Sequence, residues 1–165
     1  MALALNIGCH DIHIAGMVNV DNDAAMKPDL LLDCTKLTSK FEKNSVDFVY
    51  AGHFFEHFDV HVGKQIVIDI FTILKDYGVL VATVPDYTKC FGMKIEEAER
   101  IIIAVGTHKV LMNIDRLRDY LCCAGFKTVV QAKPSELAHC PFPNVEWQTS
   151  IIGIKHPHIN FHGIA

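Results

Sequence analysis

The stretch Val46-Asp-Phe-Val-Tyr-Ala-Gly52 is a short apolar run that ends in two small residues. A similar pattern, a few mostly apolar residues followed by a glycine or a polar residue, occurs at Leu3–Ile7, Met17–Val20 and Asp29–Leu32. Strands that are buried on both faces of a parallel sheet show this pattern, because helices cover both sides of such a sheet. The four runs therefore predict neighbouring strands of a parallel sheet.

Beyond these runs the apolar residues adopt a helical spacing. From His61 to Lys75 an apolar residue recurs every three or four positions, as on one face of a helix, and Tyr77-Gly78 is expected to end that helix. Val79–Val84 predicts a further strand. Asn113 is expected to cap a later helix that ends at Gly125.

The C-terminal part predicts two last strands, at Phe126–Gln131 and Trp147–Ile154. Alternating strands and helices indicate an α/β fold with three layers and a mostly parallel sheet, with an antiparallel strand at the C-terminus. Only nine residues, Gly8 to Gly16, join the first two strands, so the first crossover helix is expected to be short or absent. We expect one domain over residues 1–155 and a tail at 156–165.

Composition excludes several classes of partner. The chain has 15 basic and 19 acidic residues and a net charge of −4, so a nucleic-acid partner is not expected. No apolar stretch approaches the ~20 residues of a membrane helix, and the N-terminus has no basic segment before its apolar residues. A cytoplasmic protein without membrane contact is therefore predicted. The six cysteines form no Cys-x-x-Cys pair and are expected to be reduced. Monomer and homodimer both stay open.

Acidic residues and glycines follow the predicted strands, where ligands of open parallel sheets bind. Asp21 follows the second strand, and its carboxylate can accept hydrogen bonds from both hydroxyls of a ribose. Gly8 would let a ligand approach the backbone, and Asp33 suits an adenine amino group. Such aspartates also cap turns, but their joint placement favours a nucleoside site.

Six segments, in this order and spacing, resemble the motifs of class I S-adenosylmethionine-dependent methyltransferases, most closely small predicted members of that class. The resemblance covers about residues 3–131. It implies a Rossmann-like methyltransferase fold with a seven-stranded sheet, S-adenosylmethionine as cofactor, and methyl transfer to a small-molecule or glycan-like acceptor. Residues 85–112 and 132–146 would shape the acceptor pocket. The segments are Leu5-Asn-Ile-Gly-Cys9, Gly16-Met-Val-Asn-Val-Asp21, Ser45-Val-Asp-Phe-Val-Tyr50, His53-Phe-Phe-Glu-His57, Leu74–Asp86 and Leu121-Cys-Cys-Ala-Gly-Phe126.

The resemblance also implies which residues bind the cofactor, since each matches a family motif at the end of a strand. They are Asn6, Gly8 and Cys9 under the methionine part, Asp21 at the ribose, Asp33 and Cys34 at the adenine, and Gly52 and His53 beside the transferable methyl group.

One position departs from the family pattern. The second glycine of the family's Gly-x-Gly is His10 in this chain, and an imidazole at this place is expected to reshape or block the cofactor pocket. With the short first crossover, it keeps open a second hypothesis, that of a methyltransferase-fold protein that binds a ligand or partner without catalysis.

Methyl transfer to a hydroxyl or an amine is helped by a base that takes the acceptor's proton, and histidine titrates in the suitable range. The candidates are His57, His108 in Gly106-Thr-His-Lys109, and Asp86 after the fifth strand. Each of the three also suits a purely structural role.

The segment His53-Phe-Phe-Glu-His57 also fits the His-x-x-Glu-His pattern of zinc proteases. Two histidines four residues apart on a helix can bind zinc, with the glutamate as base, and His61 would extend that face by one turn. The position directly after a strand argues against a zinc hydrolase, which is the weaker alternative. A metal bound near Glu56 and His57 without hydrolysis is a further one.

Overall fold

The computed structural model describes residues 2–103, 106–137 and 146–157. The strands are β1 (Ala4–Ile7), β2 (Val18–Asp21), β3 (Leu30–Leu31), β4 (Val46–Gly52), β5 (Leu74–Pro85), β6 (Thr128–Ala132) and β7 (Gln148–Ile154). The α-helices are α1 (Leu37–Lys40), α2 (Val60–Ile73), α3 (Ile95–Ile102) and α4 (Ile114–Ala124).

All seven strands form one sheet in the order β3-β2-β1-β4-β5-β7-β6. The pairs from β3 to β5 are parallel, whereas β7 runs antiparallel to both β5 and β6. The predicted α/β fold, with a mostly parallel sheet and an antiparallel C-terminal strand, is confirmed. From β1 the chain moves outward to β3 and then crosses back to β4. The strand order therefore reverses between β1 and β4.

The two faces of the sheet are covered unequally. Because parallel crossovers are right-handed, the connections β1–β2 and β2–β3 lie on the face opposite to β3–β4 and β4–β5. Within the described residues, no helix occurs between Ile7 and Val18, and the β2–β3 connection contains a 3-10 turn at Ala24–Met26. The expected short or absent first helix is confirmed. These two connections therefore contribute only loops and one short 3-10 turn to their face of the sheet.

A buried network of side chains takes the place of the missing first helix. The Asn6 amide donates to the backbone oxygen of Ile12 at 2.8 Å and to Oδ1 of Asn19 at 3.0 Å. That same oxygen accepts from the backbone N–H of Ile14 at 2.8 Å, and Asn19 Nδ2 donates to Asp29 at 2.7 Å. The loop between β1 and β2 is thus held by side-chain amides rather than by helical hydrogen bonds.

The opposite face carries the packed helical layer. Asp59 caps α2 by accepting hydrogen bonds from the first backbone N–H groups of the helix, which satisfies donors that have no partner inside it. A Cβ on Gly63 of α2 would lie 2.8 Å from the ring of Tyr120 in α4, so this glycine allows the two helices to approach closely. The apolar face of α2 is fully buried and includes Ile66, Ile70 and Ile73.

The predicted end of α2 at Tyr77-Gly78 is wrong. The helix ends at Ile73, and the chain becomes extended at Leu74 without a glycine. The buried Lys155 explains the early end, because its ammonium donates to the backbone oxygens of Phe71 at 2.8 Å and Leu74 at 2.6 Å. The carbonyls of Thr72 and Ile73 accept from the backbone N–H groups of Asn44 and Ser45, so the end of the helix needs no glycine cap. Burial lowers the pKa of the Lys155 ammonium.

The other predicted helix boundaries are confirmed. Asn113 caps α4 through a hydrogen bond from the backbone N–H of Arg116, and Gly125 ends it with a φ of 109°. The described cysteines form no disulfide, whereas Cys140 lies outside the described residues, as do most of 132–146 and all of the tail from 158. None of the helices in the described ranges has the length and apolar character needed to cross a bilayer.

Candidate functional site

A cavity of about 670 Å³ opens at the carboxyl ends of β1, β2 and β4. We call it the switch-point cavity, because it lies where the strand order reverses, the usual ligand site of open α/β sheets. Its volume is within the range of small-molecule pockets. Its lining includes all the residues predicted to bind the cofactor: Asn6, Gly8, Cys9, Asp21, Asp33, Cys34, Gly52 and His53.

Two glycines allow the backbone to form the floor of this cavity. Gly8 has a φ of 62°, and a Cβ there would lie 2.3 Å from Cδ2 of Phe54. At Gly52 a Cβ would lie 2.7 Å from the ring of Tyr50. Both distances are far below van der Waals contact, so neither site accommodates a side chain unless the adjacent ring moves.

The Asp21 carboxylate joins the two loops at the edge of the cavity. Its Oδ2 accepts from the backbone N–H of His10 at 2.9 Å, and its Oδ1 accepts from the backbone N–H of Asp23 at 2.9 Å. Each carboxylate oxygen has about two lone pairs, so each keeps one for a ligand hydroxyl. The carboxylate is oriented by the protein alone, while its role as the ribose acceptor stays a prediction.

Asn6 lies in the cavity wall but uses its amide hydrogens inside the protein, in the network that holds the β1–β2 loop. Asn6 therefore positions the β1–β2 loop, and its amide hydrogens are not free for a ligand. Asp33 also caps the turn Cys34–Lys36, accepting from the backbone N–H of Thr35 at 2.9 Å. Asp33 therefore both caps this turn and lines the cavity.

Cys9 and Cys34 form small apolar walls of the cavity, and both are buried. Burial, supported by the negative charge of Asp21, raises the pKa of the Cys9 thiol to about 11 and that of Cys34 to about 12. Both thiols are neutral at physiological pH and offer contact surface rather than charge.

His10 does not obstruct the cavity as expected from the sequence. Its backbone has a φ of 47°, the left-handed conformation that suits the family glycine. Its side chain is 71% exposed, with Nδ1 2.8 Å from Oδ1 of Asp11. Because the ring extends into solvent at the rim, the cavity stays open beside it.

His53 lies where β4 ends, also in a left-handed conformation with a φ of 50°. Its Nε2 lies 2.9 Å from Oε1 of Gln148, and its Nδ1 lies 3.4 Å from Oε1 of Glu56. Burial acts to lower the pKa of His53, but the Glu56 carboxylate and Gln148 outweigh it, so the pKa is raised. Strained backbone of this kind is common at functional sites.

A second group of polar side chains lies next to the cavity. The Glu56 side chain is 1% exposed, and Nε2 of His108 lies 3.9 Å from its Oε1. The His57 and His108 rings lie edge to face with their centroids 4.9 Å apart. Burial lowers the pKa of His108, against the charge of Glu56. The structure thus brings His57 and His108, 51 positions apart in the chain, together.

The helical zinc-protease arrangement of His53-x-x-Glu56-His57 is wrong. Phe55–His57 is a 3-10 turn, and α2 begins only at Val60, so the two histidines do not share a helical face. Both nitrogens of His53 already face protein groups, Glu56 and Gln148. The partner of His57 is therefore His108, which the sequence pattern does not contain.

Asp86 lies outside the lining of the switch-point cavity. It is buried and caps the turn Tyr87–Cys90 by accepting from the backbone N–H of Thr88 at 3.0 Å. This is the structural role considered for it in the sequence, and its catalytic role stays a prediction.

Several lining residues received no role from the sequence. They flank the predicted positions, so nearness to a strand end was an available signal, but which side chain turns inward depends on the turn geometry. These residues include Asp11, Ile12, Tyr50, Phe54, Phe58 and Thr107.

No protein-family model matches the sequence, and no curated protein matches it. Among solved structures, an S-adenosylmethionine-dependent methyltransferase from Archaeoglobus fulgidus is 17% identical with a TM-score of 0.69, over 93% of this chain and 86% of that one. One from Thermotoga maritima is 18% identical with a TM-score of 0.68, over 94% and 83%.

Phosphoethanolamine N-methyltransferase 2 from Haemonchus contortus, in complex with S-adenosyl-L-methionine, is 15% identical with a TM-score of 0.64 over 95% of this chain. The chain spans 50% of that protein's length and 52% of a similar structure from Nostoc punctiforme. At these identities the likeness is one of fold. The chain therefore has the Rossmann-like fold of the class I S-adenosylmethionine-dependent methyltransferases.

Proposed function

We propose that the chain binds S-adenosylmethionine in the switch-point cavity and transfers its methyl group to a small-molecule or glycan-like acceptor. One observation carries this proposal. The eight residues that match the cofactor motifs come from the carboxyl ends of β1, β2 and β4 and from the turns that follow β1, β3 and β4, and all of them line a single cavity. A fold that had kept only its architecture would not need this convergence of glycines, carboxylates and small side chains.

The cavity offers a different group to each part of the cofactor. The Gly8 backbone, free of a side chain, suits close approach of the methionine part. Asp21 keeps carboxylate lone pairs for the ribose hydroxyls, and Cys34 and Asp33 flank the place of the adenine. Gly52 and His53, where β4 ends, lie on the side from which an acceptor would reach the methyl group.

The reaction is a displacement in line with the sulfur–carbon bond. An acceptor oxygen or nitrogen forms a bond to the methyl carbon, the bond from that carbon to sulfur breaks, and its electron pair neutralises the sulfonium. The products are the methylated acceptor and S-adenosylhomocysteine. The main contribution of the chain is to hold the two reactants close and aligned.

A hydroxyl or amine acceptor must also lose a proton, and His57 and His108 are the groups that assist this loss. His57 lines the cavity, and its Nδ1 lies 3.2 Å from the backbone oxygen of Thr107. Because a carbonyl oxygen only accepts, Nδ1 carries the hydrogen and Nε2 keeps a lone pair. The same holds for His108 and the backbone oxygen of Ile102, at 3.1 Å.

The test is a calorimetric titration of chelator-treated protein with S-adenosylmethionine and S-adenosylhomocysteine. We expect micromolar binding of both, weakened at least tenfold in Asp21→Asn, since an amide presents a donor to a ribose hydroxyl's hydrogen. Asp76→Asn, an exposed aspartate near the amino end of β5, is the matched control and should bind like the wild type.

An altered ligand separates the role of the Asp21 carboxylate from general damage to the loop. The wild type should bind S-adenosylhomocysteine that lacks the ribose 2′-hydroxyl more weakly than it binds S-adenosylhomocysteine itself. Asp21→Asn should bind the two ligands with equal affinity. Absence of binding to the wild type up to millimolar ligand would overturn the proposal. The alternative, a protein of this fold that binds another ligand or a partner without catalysis, would then take its place.

A further inference from the structure

Glu56 is a buried carboxylate with little to compensate its charge. It is 1% exposed, and no hydrogen bond from the described part of the chain reaches either carboxylate oxygen. The nearest side-chain nitrogens are Nδ1 of His53 at 3.4 Å and Nε2 of His108 at 3.9 Å, both facing Oε1. Buried carboxylates are normally paired with hydrogen-bond donors or coordinate a metal. The Oε2 of Glu56 is thus available for a ligand.

Two histidines converge on this carboxylate. One ring nitrogen of His57, one of His108 and one oxygen of Glu56 all lie within 4.8 Å of one another. Each ring donates its Nδ1–H to a backbone oxygen, that of Thr107 or Ile102, which leaves Nε2 as the free lone pair. Metal-binding histidines are usually fixed by such a bond from the second nitrogen. Both imidazoles are therefore in the tautomer in which Nε2 can bind a metal.

We infer that Glu56, His57 and His108 form a binding site for one divalent transition-metal ion. Nitrogen and oxygen ligands lie ~2.0–2.2 Å from such an ion, which places them about 3–3.5 Å apart. The three atoms need to close by about 1 Å, a movement within reach of side-chain rotation. His53 lies between Glu56 and Gln148. It orients the Glu56 carboxylate but is not itself a ligand of the ion.

The ligand chemistry selects the class of ion. Two imidazoles and one carboxylate suit Zn²⁺ and its first-row neighbours, whereas Mg²⁺ and Ca²⁺ prefer sites made of oxygen. Three protein ligands leave at least one coordination position open, as in catalytic rather than structural zinc sites.

The position of the site indicates what the open coordination position would bind. His57 and Thr107 line the switch-point cavity, while Glu56 and His108 line a small neighbouring cavity with Tyr87 and Met112. An ion between them lies in the wall shared by the two. Resting on the proposed function, we infer that the ion binds the oxygen of a hydroxyl acceptor. By stabilising the deprotonated oxygen it would assist the loss of the proton before methyl transfer. With the Nε2 lone pairs of His57 and His108 bound to the ion, the two histidines would act through the metal instead of accepting the proton themselves.

The experiment titrates chelator-treated protein with Zn²⁺ and, separately, Mg²⁺ by calorimetry, and records the visible spectrum with Co²⁺. We expect one Zn²⁺ per chain, weak or no Mg²⁺ binding, and Co²⁺ bands typical of a site with four or five ligands. Glu56→Gln and His57→Gln should each weaken Zn²⁺ binding at least tenfold and remove the Co²⁺ bands. His61→Gln, an exposed histidine on α2, is the control and should bind Zn²⁺ like the wild type.

Zn²⁺ binding that persists in both variants would arise from other histidines and would overturn the inference, as would the absence of binding to the wild type. Because Glu56→Gln alters a buried group, its thermal unfolding is measured alongside, and the partly exposed His57 provides the second test. Titration of metal-free protein with S-adenosylhomocysteine keeps the proposals apart. Zn²⁺ binding without nucleoside binding would support the metal site and overturn the proposed function. Nucleoside binding without Zn²⁺ binding would support the proposed function and overturn the metal site.

Discussion

Gly8 lies directly against the ring of Phe54. The contact leaves no room for a side chain, because a Cβ on Gly8 would lie 2.3 Å from Cδ2 of that ring. The contact links the end of β1 to the turn after β4, the two segments between which the strand order reverses. It therefore fixes the floor of the switch-point cavity.

Gly8→Ala should lower the free energy of unfolding by about 2–5 kcal/mol. The methyl group overpacks against Phe54, which typically costs about 1–3 kcal/mol, and alanine is strained at a φ of 62° by about 1–2 kcal/mol. Denaturant unfolding measures the loss. Gly16→Ala is the control, because Gly16 has a φ of 83° but a Cβ there would have no atom within 4 Å, so this variant bears the backbone cost alone. Equal losses in both variants would contradict the role of Phe54.

Asn19→Ala should destabilise the chain by about 2–4 kcal/mol. The variant leaves one amide hydrogen of Asn6 and the backbone N–H of Ile14 without their acceptor and removes the amide donor to Asp29. Each buried unpaired group costs about 1–3 kcal/mol. Thermal or urea unfolding gives the magnitude. Asn113→Ala removes a single exposed helix cap and should cost about 1 kcal/mol. A loss at Asn19 no greater than at Asn113 would show that the network does not hold the first crossover.

The sequence predicts the strands and the cavity well because both depend on local signals. Apolar runs that end in Gly8, Asp21 or Gly52 identify strands and also the edge of the sheet at which the switch-point cavity opens. The short connection from Gly8 to Gly16 shows by length alone that no full helix fits.

What the sequence does not predict depends on contacts distant in the chain. At the end of α2 the Lys155 ammonium donates to the backbone oxygens of Phe71, in the helix, and Leu74, just after it, and no pattern near Tyr77 reports this. His108 joins Glu56 only through the fold, so the local His-x-x-Glu-His spacing suggested His53 as the partner of His57. The expectation that His10 would obstruct the cavity was wrong for a similar reason. The direction of its side chain follows from its left-handed backbone, which the sequence does not report.

The cysteines of the cavity should resist alkylation in a pH-dependent way. Raising the pKa of the Cys34 thiol from 9.0 to about 12 lowers its thiolate fraction at about pH 8 by about 1,000-fold, and the thiolate is the reactive form. The rate at Cys34 should rise about tenfold per pH unit and level off only near its raised pKa. Peptide mass spectrometry after iodoacetamide treatment measures it, with the exposed Cys122 and Cys123 as internal references. Alkylation of Cys34 as fast as that of Cys123 in the folded protein would contradict its burial.

His10→Gly should keep the affinity for S-adenosylhomocysteine within about threefold of the wild type, a difference of less than about 1 kcal/mol. The imidazole is 71% exposed, and what His10 gives the site is its backbone N–H to Asp21, which glycine retains. Relief of the left-handed conformation, worth about 1–2 kcal/mol, is partly offset by the greater freedom of glycine in the unfolded chain, about 0.5–1 kcal/mol. Stability should therefore rise by no more than about 1.5 kcal/mol.

His10→Ala is the informative companion, because it removes the same ring but keeps the backbone cost of a side chain at a φ of 47°. Calorimetric titration of both variants separates the two contributions. A tenfold or greater loss of affinity in both would show that the ring itself contacts the cofactor. A loss in His10→Gly alone would mean that the histidine holds the β1–β2 loop rigid for binding. Unchanged affinity in both would establish that the glycine of the family motif is replaceable here, because only its backbone conformation is used.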